Sequence, residues 1–419
     1  MTRTVIIGID GVPYDLIDTF SQDDTMPYFG SLRDTGVFRK MSSSIPEVSA
    51  VSWSSIITGK NPGEHGVYGF TEIIPGTYTL SFPHFGKLRV SPFWHRDDSF
   101  VIINVPSTYP ASPLQGVLVS GFISPDLEKA AYPPNTVEIL REFKYKIDVD
   151  TKKARKSTDL LFKELNSALE SRINVYNYFT NKIKWDVSML VFTGTDRLEH
   201  FLWHAYEDPD HAYHQAFRAF FTRIDEAIGN IHRSMQEDDA LIILSDHGME
   251  GVESDVNINC FLEEEGFLVR GTNKNRGYNN ILEGTRAFAL DPGRIYINKK
   301  DVFPLGGVLP ENEESLLGEL TEILLSLKKD GKNVIKHVYS KSDIYHGAHV
   351  EYGPDLVLLP HRGFNLKGGI LPHSIFSKDF LSGKHTQEDA FLFVSEGYSV
   401  PGEPTVEDMV PILHSIMGW

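Results

Sequence analysis

Short runs of apolar residues, each bounded by turn or charged residues, alternate along the chain with stretches of helical periodicity. Runs apolar on both faces predict buried strands at 4–9, 99–105, 187–193, 240–245, 355–359 and 391–394. Helices are predicted over 26–35, 51–58, 158–181, 197–206, 209–235, 312–330 and 405–417, with Gly36 and Gly59 stopping the first two. Asp208-Pro209 reads as an N-cap followed by proline at the first helical position. This alternation predicts an α/β fold around a largely parallel sheet. No internal repeat or low-complexity tract interrupts it. Two segments do: 68–150, rich in Pro, Gly and aromatics, and 266–380, where short β-like pieces flank one long helix. With no long flexible linker, both read as insertions decorating one core that spans 1–419. Their aromatics, among them Tyr68, Phe70, Phe82, Phe85, Phe93 and Trp94, either grip a leaving group or pack the insertions.

Charge narrows the function. Forty Lys+Arg against 57 Asp+Glu give −17 over 419 residues, which argues against binding duplex nucleic acid, where cations must neutralise phosphates. The single cysteine, Cys260, excludes an intramolecular disulfide framework and a cysteine-cluster metal site, but 16 histidines remain as ligands. No apolar run reaches the roughly 18–20 residues that span a bilayer. A strand starting at Thr4 leaves no space for a signal peptide, so a cytoplasmic location is expected.

In an open α/β sheet, ligands gather beyond the carboxyl ends of the strands. Strand 4–9 is followed by Asp10-Gly11, strand 187–193 by Asp196 and His200, and strand 240–245 by Asp246-His247-Gly248. Taken singly, Asp10-Gly11 is an ordinary turn and the Asp-x-x-x-His spacing a chance event. Together they place carboxylates at three strand ends, where mutual repulsion calls for a cation. His200 lies one helical turn after Asp196, so both can face one centre. Mixed Asp/His ligation suits zinc, manganese or iron better than calcium or magnesium. His204, a turn further on, could join the set, but the plainer reading packs it on its helix, facing substrate. The hydroxyl-rich stretch Ser44–Gly59 reads as a loop entering a short helix, whose N-terminus favours an anion or an activated hydroxyl. An N-cap serine without catalytic role is the plainer reading.

In this order, Ile7-Gly8-Ile9-Asp10-Gly11, the Ser49 loop running into Thr58-Gly59-Lys60-Asn61-Pro62-Gly63-Glu64-His65-Gly66, Thr195-Asp196-Arg197-Leu198-Glu199-His200 and Ser245-Asp246-His247-Gly248-Met249 resemble the alkaline phosphatase superfamily. The likeness is to its type I phosphodiesterase/nucleotide pyrophosphatase branch, and within that to the prokaryotic predicted phosphohydrolase/phosphomutase group. Asn104-Val105-Pro106-Ser107-Thr108-Tyr109-Pro110 and Pro354-Asp355-Leu356-Val357-Leu358 are similar to that group as well. The resemblance implies a three-layer alkaline-phosphatase-like sandwich and two divalent metal ions, zinc first, manganese or iron as alternatives. It assigns one ion to Asp10, Ser49, Asp246 and His247, and the other to Asp196, His200 and a late histidine. Gly383-Lys384-His385 before strand 391–394 matches the family's Gly-x-His, which selects His385 over His361 and His373.

The resemblance further implies a metal-activated Ser49 attacking a phosphate ester, a nucleotide or other phosphodiester, through a phosphoseryl intermediate. Lys60, His65, Asn104 and Tyr109 are its candidate substrate-side groups. Two departures stand out. Ser49 occupies the place where the diesterase branch usually carries threonine, and Phe70 the place of an asparagine that contacts the phosphoryl oxygen. No Cys/Ser-x-Pro-x-Arg sulfatase motif occurs. A phosphomutase or phosphomonoesterase of the same superfamily is the nearest alternative, and a non-catalytic metal-binding regulatory protein the alternative of another class.

Overall fold

The computed structural model describes residues 2–419, the side chain of Lys274 left aside. The chain forms two compact units: one of residues up to Lys60, His84–Met249 and Leu381–Trp419, the other of Asn61–Pro83 and Glu250–Phe380. Segment 68–150 is therefore divided between them, and 266–380 lies wholly in the second.

The first unit is built on an eight-stranded sheet. Its strands are β1 (Thr4–Ile9), β2 (Val37–Met41), β3 (Phe100–Val105), β4 (Gly116–Ser120), β5 (Ala131–Tyr132), β6 (Val187–Phe192), β7 (Ala240–Leu244) and, after a short strand β8 (Gly383–Thr386) outside this sheet, β9 (Ala390–Val394). Their order is β2-β9-β7-β1-β6-β3-β4-β5. β7, β1, β6, β3 and β4 run parallel; the pairs β7–β9, β9–β2 and β4–β5 are antiparallel. The architecture is thus α/β with a mostly parallel central sheet, as the alternation predicts. β1 lies between β6 and β7, in register from Thr4 with Val187 and Ala240, so these three strands end side by side.

Successive residues of a strand point to opposite faces, and both faces here are apolar. Val5, Ile7 and Ile9 join one core with α1 (Tyr14–Gln22), α2 (Pro27–Arg33), α4 (Thr158–Lys182), α5 (Gly194–Glu207) and α6 (His214–Arg233). Ile6, Ile102 and Val191 join the other with α3 (Ser49–Thr58) and α7 (Met409–Met417). Helices on both sides cover the sheet, giving three layers.

The predicted boundaries shift where local chemistry overrides periodicity. The helix predicted from 51 starts at Ser49, and the one from 197 at Gly194, which brings Ser49 and Asp196 into first turns. Asp208-Pro209 caps no helix: Asp208 accepts the Asp210 N–H and closes a turn, and α6 begins only at His214. The helix predicted over 312–330 ends at Ser326, and the one from 405 begins with a 3₁₀ turn at Val406. The strand predicted at 355–359 forms as Leu356–Pro360, but in an antiparallel four-stranded sheet of the second unit. There its neighbours Arg294–Ile297 and Ile335–Ser340 pack with helix Glu313–Ser326 over a separate apolar core.

Gly8 of β1 carries the tightest link between sheet and site. A Cβ there would collide with Cη2 at the edge of the fully buried Trp53 ring and lie 3.0 Å from Val191 Cγ2. Gly8→Ala is expected to cost about 1–3 kcal/mol through overpacking, read as a lowered urea midpoint; an unchanged midpoint would show that Trp53 moves freely.

Candidate metal centre and nucleophile

The three central strands deliver their next residues to one place. Asp10 follows β1, Asp246-His247 follows β7, and Asp196 enters the first turn of α5 after β6, with His200 one turn on. Thr195 Oγ1 donates to Asp10 O at 2.6 Å, tying the end of β1 to the start of α5. Gly11 adopts φ +80°, where L side chains strain, and a Cβ on it would lie 3.0 Å from Asp196 Cβ. Glycine there lets two carboxylate-bearing turns close on each other. β8 brings His385 alongside.

The imidazoles share one arrangement. Nδ1 of His200 donates to Gly383 O (2.8 Å), that of His385 to Glu47 O (2.9 Å) and that of His247 to Gly248 O (3.0 Å). A carbonyl can only accept, so Nδ1 carries a proton and Nε2 turns inward, with its lone pair free in the neutral ring. His200 Nε2 and His385 Nε2 then face each other at 2.9 Å, each 3.2 Å from Asp196 Oδ1. Two lone pairs and a carboxylate oxygen converging without a proton between them form a frustrated set that a cation resolves.

The neighbouring set behaves alike. Asp10 Oδ2 accepts from Trp53 Nε1 at 2.8 Å, and Asp246 Oδ1 from Gly11 N at 3.1 Å. Each carboxylate is thus anchored by one oxygen. Asp10 Oδ1 lies 3.8 Å and Asp246 Oδ2 3.3 Å from His247 Nε2, and Asp246 Oδ2 is buried with no hydrogen-bond partner among the described residues. An orphaned buried carboxylate oxygen is costly unless something absent from the protein's own atoms satisfies it. Two groups have ligand atoms within 4.8 Å of one another, Asp196/His200/His385 and Asp10/Asp196/His247, with Asp196 common to both.

Ser49 stands at the first position of α3, and its Oγ lies 3.0 Å from His247 Nε2. The other hydroxyls nearby serve the fold: Ser43, Ser44 and Ser52 bond to one another, and Ser43 donates to Asp246 O.

Burial sets the charges. It pushes the Asp10 carboxyl well up, aided by Asp246 and Asp196, and raises Asp246 to about 7. It lowers His247 and His385 to about 4, keeping both imidazoles neutral at physiological pH. Burial raises the Asp196 carboxyl too, and protons on the His200 and His385 imidazoles that face it would hold it well below the carboxylate range.

The substrate-side candidates are dispersed. Asn104 is fully buried, its amide donating to Val191 O and accepting from the Tyr145 hydroxyl. His65 is fully buried in the second unit, with Nδ1 accepting the Val67 N–H. Lys60 is exposed just beyond α3, and Tyr109 is half-buried in a loop. His204, His361 and His373 are exposed. Phe85, Phe93 and Trp94 are buried in the second core of the first unit, and Tyr68 is buried in the second unit, whereas Phe82 is exposed. Sequence reasoning passed over Trp53, Arg197 and Glu199. Burial pushes the Glu199 carboxyl well up, and neither of its oxygens has a hydrogen-bond partner among the described residues. Arg197 and Glu199 sat inside the Asp196–His200 motif; Trp53 sat four residues from Ser49, between two serines that drew attention to hydroxyls rather than to the indole.

A sequence model of the type I phosphodiesterase / nucleotide pyrophosphatase family matches residues 4–388. The chain belongs to that family. It is a phosphohydrolase by this membership, and the clustered Asp and His groups are consistent with metal dependence. No curated protein matches. Among solved structures, phosphonoacetate hydrolase from Sinorhizobium meliloti 1021 is similar at TM-score 0.65 and 13% identity, over 99% of this chain and 96% of its own. Murine ectonucleotide pyrophosphatase/phosphodiesterase 5 is similar at TM-score 0.59 and 14% identity, over 100% of this chain and 95% of its own. These likenesses establish the alkaline-phosphatase-like fold. No helix among the described residues is long and apolar enough to cross a membrane.

Below about pH 7 a dication entering this cluster must displace the Asp246 proton, whereas the two depressed histidines carry none to displace above about pH 5. Zinc uptake by the metal-free protein is therefore expected to tighten between pH 5.5 and 8 and to release protons at pH 6. Calorimetry in buffers of different ionisation enthalpy reads both, and a pH-independent affinity without proton release contradicts the assignment.

Proposed function

We propose that this protein is a binuclear-metal phosphodiesterase in which Ser49 is the nucleophile. Asp10, Ser49, Asp246 and His247 would hold one divalent ion, and Asp196, His200 and His385 the other. The observation that carries the reading is the placement of the Ser49 hydroxyl, 3.0 Å from His247 Nε2, at the start of a helix beside the frustrated carboxylate–imidazole cluster. Zinc suits these nitrogen and oxygen donors best, with manganese or iron next. The bound ions supply Lewis acidity, which lowers the hydroxyl pKa and stabilises charge on the transferring phosphoryl group.

The chain's own residues do the rest. The backbone carbonyls of Gly383, Glu47 and Gly248 lock three imidazoles with Nε2 inward, and Trp53 and Gly11 fix the two carboxylates. The N-terminus of α3 adds a positive dipole end where negative charge grows on Ser49 Oγ. Having lost its proton to solvent, Ser49 Oγ forms a bond to phosphorus as the bond from phosphorus to the leaving alkoxide breaks, and water protonates that alkoxide. Water then attacks the phosphoseryl group; Ser49 Oγ leaves, regains a proton, and a phosphomonoester departs. Positioning and electrostatics provide most of the acceleration, since phosphoryl transfer asks little covalent work of the protein.

A small substrate carrying a phosphoryl group agrees with the phosphate and phosphonate ligands of the structural relatives. The murine enzyme has been solved with AMP, and the phosphonoacetate hydrolase with phosphonoformate and phosphonoacetate. A single cysteine fits a reducing, cytoplasmic setting.

Ser49→Ala is expected to lower kcat on an aryl phosphodiester by at least about a thousand-fold, while Ser49→Thr, carrying the hydroxyl typical of the branch, keeps measurable turnover. Acid quench of the wild-type reaction followed by peptide mass spectrometry should find on Ser49 a phosphoryl group that still carries the substrate's retained ester substituent. Undiminished turnover by the alanine variant would sink the covalent mechanism.

A further inference from the structure

Arg197 follows Asp196 on α5 and is committed in an asymmetric way. Asp148 receives its Nε at 3.2 and 3.3 Å and its Nη2 at 2.9 Å, a two-pronged clamp, and Asp148 is itself steadied by the Val149 N–H at 2.8 Å. The guanidinium carbon lies 4.3 Å from the centre of the Phe122 ring. Only Nη1 reaches toward the cluster, at 3.4 Å from Asp196 Oδ2. A guanidinium carries five N–H donors. One N–H on Nη1 and one on Nη2 therefore have no acceptor among the described residues. The side chain is 17% exposed, so it is not sealed into the core.

A guanidinium whose only task was to neutralise Asp196 would give it the short, forked contact. Here the fork goes to Asp148, and Asp196 receives a long contact from the edge that still has donors to give. Asp196 belongs to both ligand groups, and Nη1 approaches it at Oδ2, whereas His200 and His385 face Oδ1. A permanently charged, planar donor held rigidly on two sides suits a phosphoryl oxygen, whose charge grows during transfer.

We propose that Arg197 is a further catalytic residue that donates from Nη1 to a non-bridging oxygen of the phosphoryl group, with Asp148 and Phe122 as its positioning residues. The proposal rests on the reading that the phosphoryl group sits over Ser49 between the two ligand groups.

Calorimetric titration of the zinc-loaded protein with inorganic phosphate at pH 8, alongside zinc content, tests it without turnover. Arg197→Met is expected to bind phosphate about 10- to 100-fold more weakly than wild type, with zinc content unchanged. Arg197→Lys should recover part of the loss, and Asp148→Asn should weaken binding several-fold by loosening the clamp. Phosphate binding by Arg197→Met within about twofold of wild type, or a loss that disappears once zinc is resaturated, would overturn the proposal and leave Arg197 as a support for Asp196. Failure of the zinc-loaded wild type to bind phosphate at all would overturn the underlying functional reading together with it.

Discussion

Repulsion among three buried carboxylates is the constraint around which the first unit is organised. Asp10, Asp196 and Asp246 project from adjacent ends of parallel strands into a space with almost no access to water. Burial penalises their charges, and each raises the cost of the others. The fold offsets this only in part, with the Arg197 guanidinium 3.4 Å from Asp196 Oδ2. It adds neutral imidazoles whose lone pairs point into the same space, which deepens the demand for a cation. Parallel strands make the convergence possible, because β1, β6 and β7 all end on one side of the sheet.

The supporting residues make sense in this light. Trp53 and the Gly11 amide each hold one oxygen of a carboxylate and so aim the other. Backbone carbonyls fix three histidine tautomers, which a side-chain partner would do with less geometric certainty. Glycines occur where two elements must approach more closely than a Cβ allows, at Gly8 against Trp53 and at Gly11 against Asp196. Stability and ligand geometry are therefore coupled: the same contacts that close the core direct the ligands.

Much of this was legible in the sequence. Strands buried on both faces leave unbroken apolar runs, so β1, β6 and β7 could be read almost to the residue, and with them the carboxylates and histidines just past each strand end. The edge strand β2, with Arg39 and Lys40 exposed, has no such run and carries no comparable signal. The run at 355–359 was recognised as a strand, yet apolar character alone does not say which sheet a strand joins. Asp208-Pro209 carried the signal of a helix start but closes a turn, because the Asp208 carboxylate caps locally. Trp53 and Arg197 were invisible for another reason: their partners, Asp10 and Asp148, lie 43 and 49 positions away. Only the folded chain brings such pairs together.

The central claim is that this cluster exists to hold two divalent ions. Metal analysis of the protein after equilibrium dialysis against zinc at pH 8 tests it most directly. The account predicts two tightly held ions per chain in the wild type, and one when His200 and His385 are both replaced by alanine. A wild-type protein retaining no stoichiometric zinc, manganese or iron would contradict it.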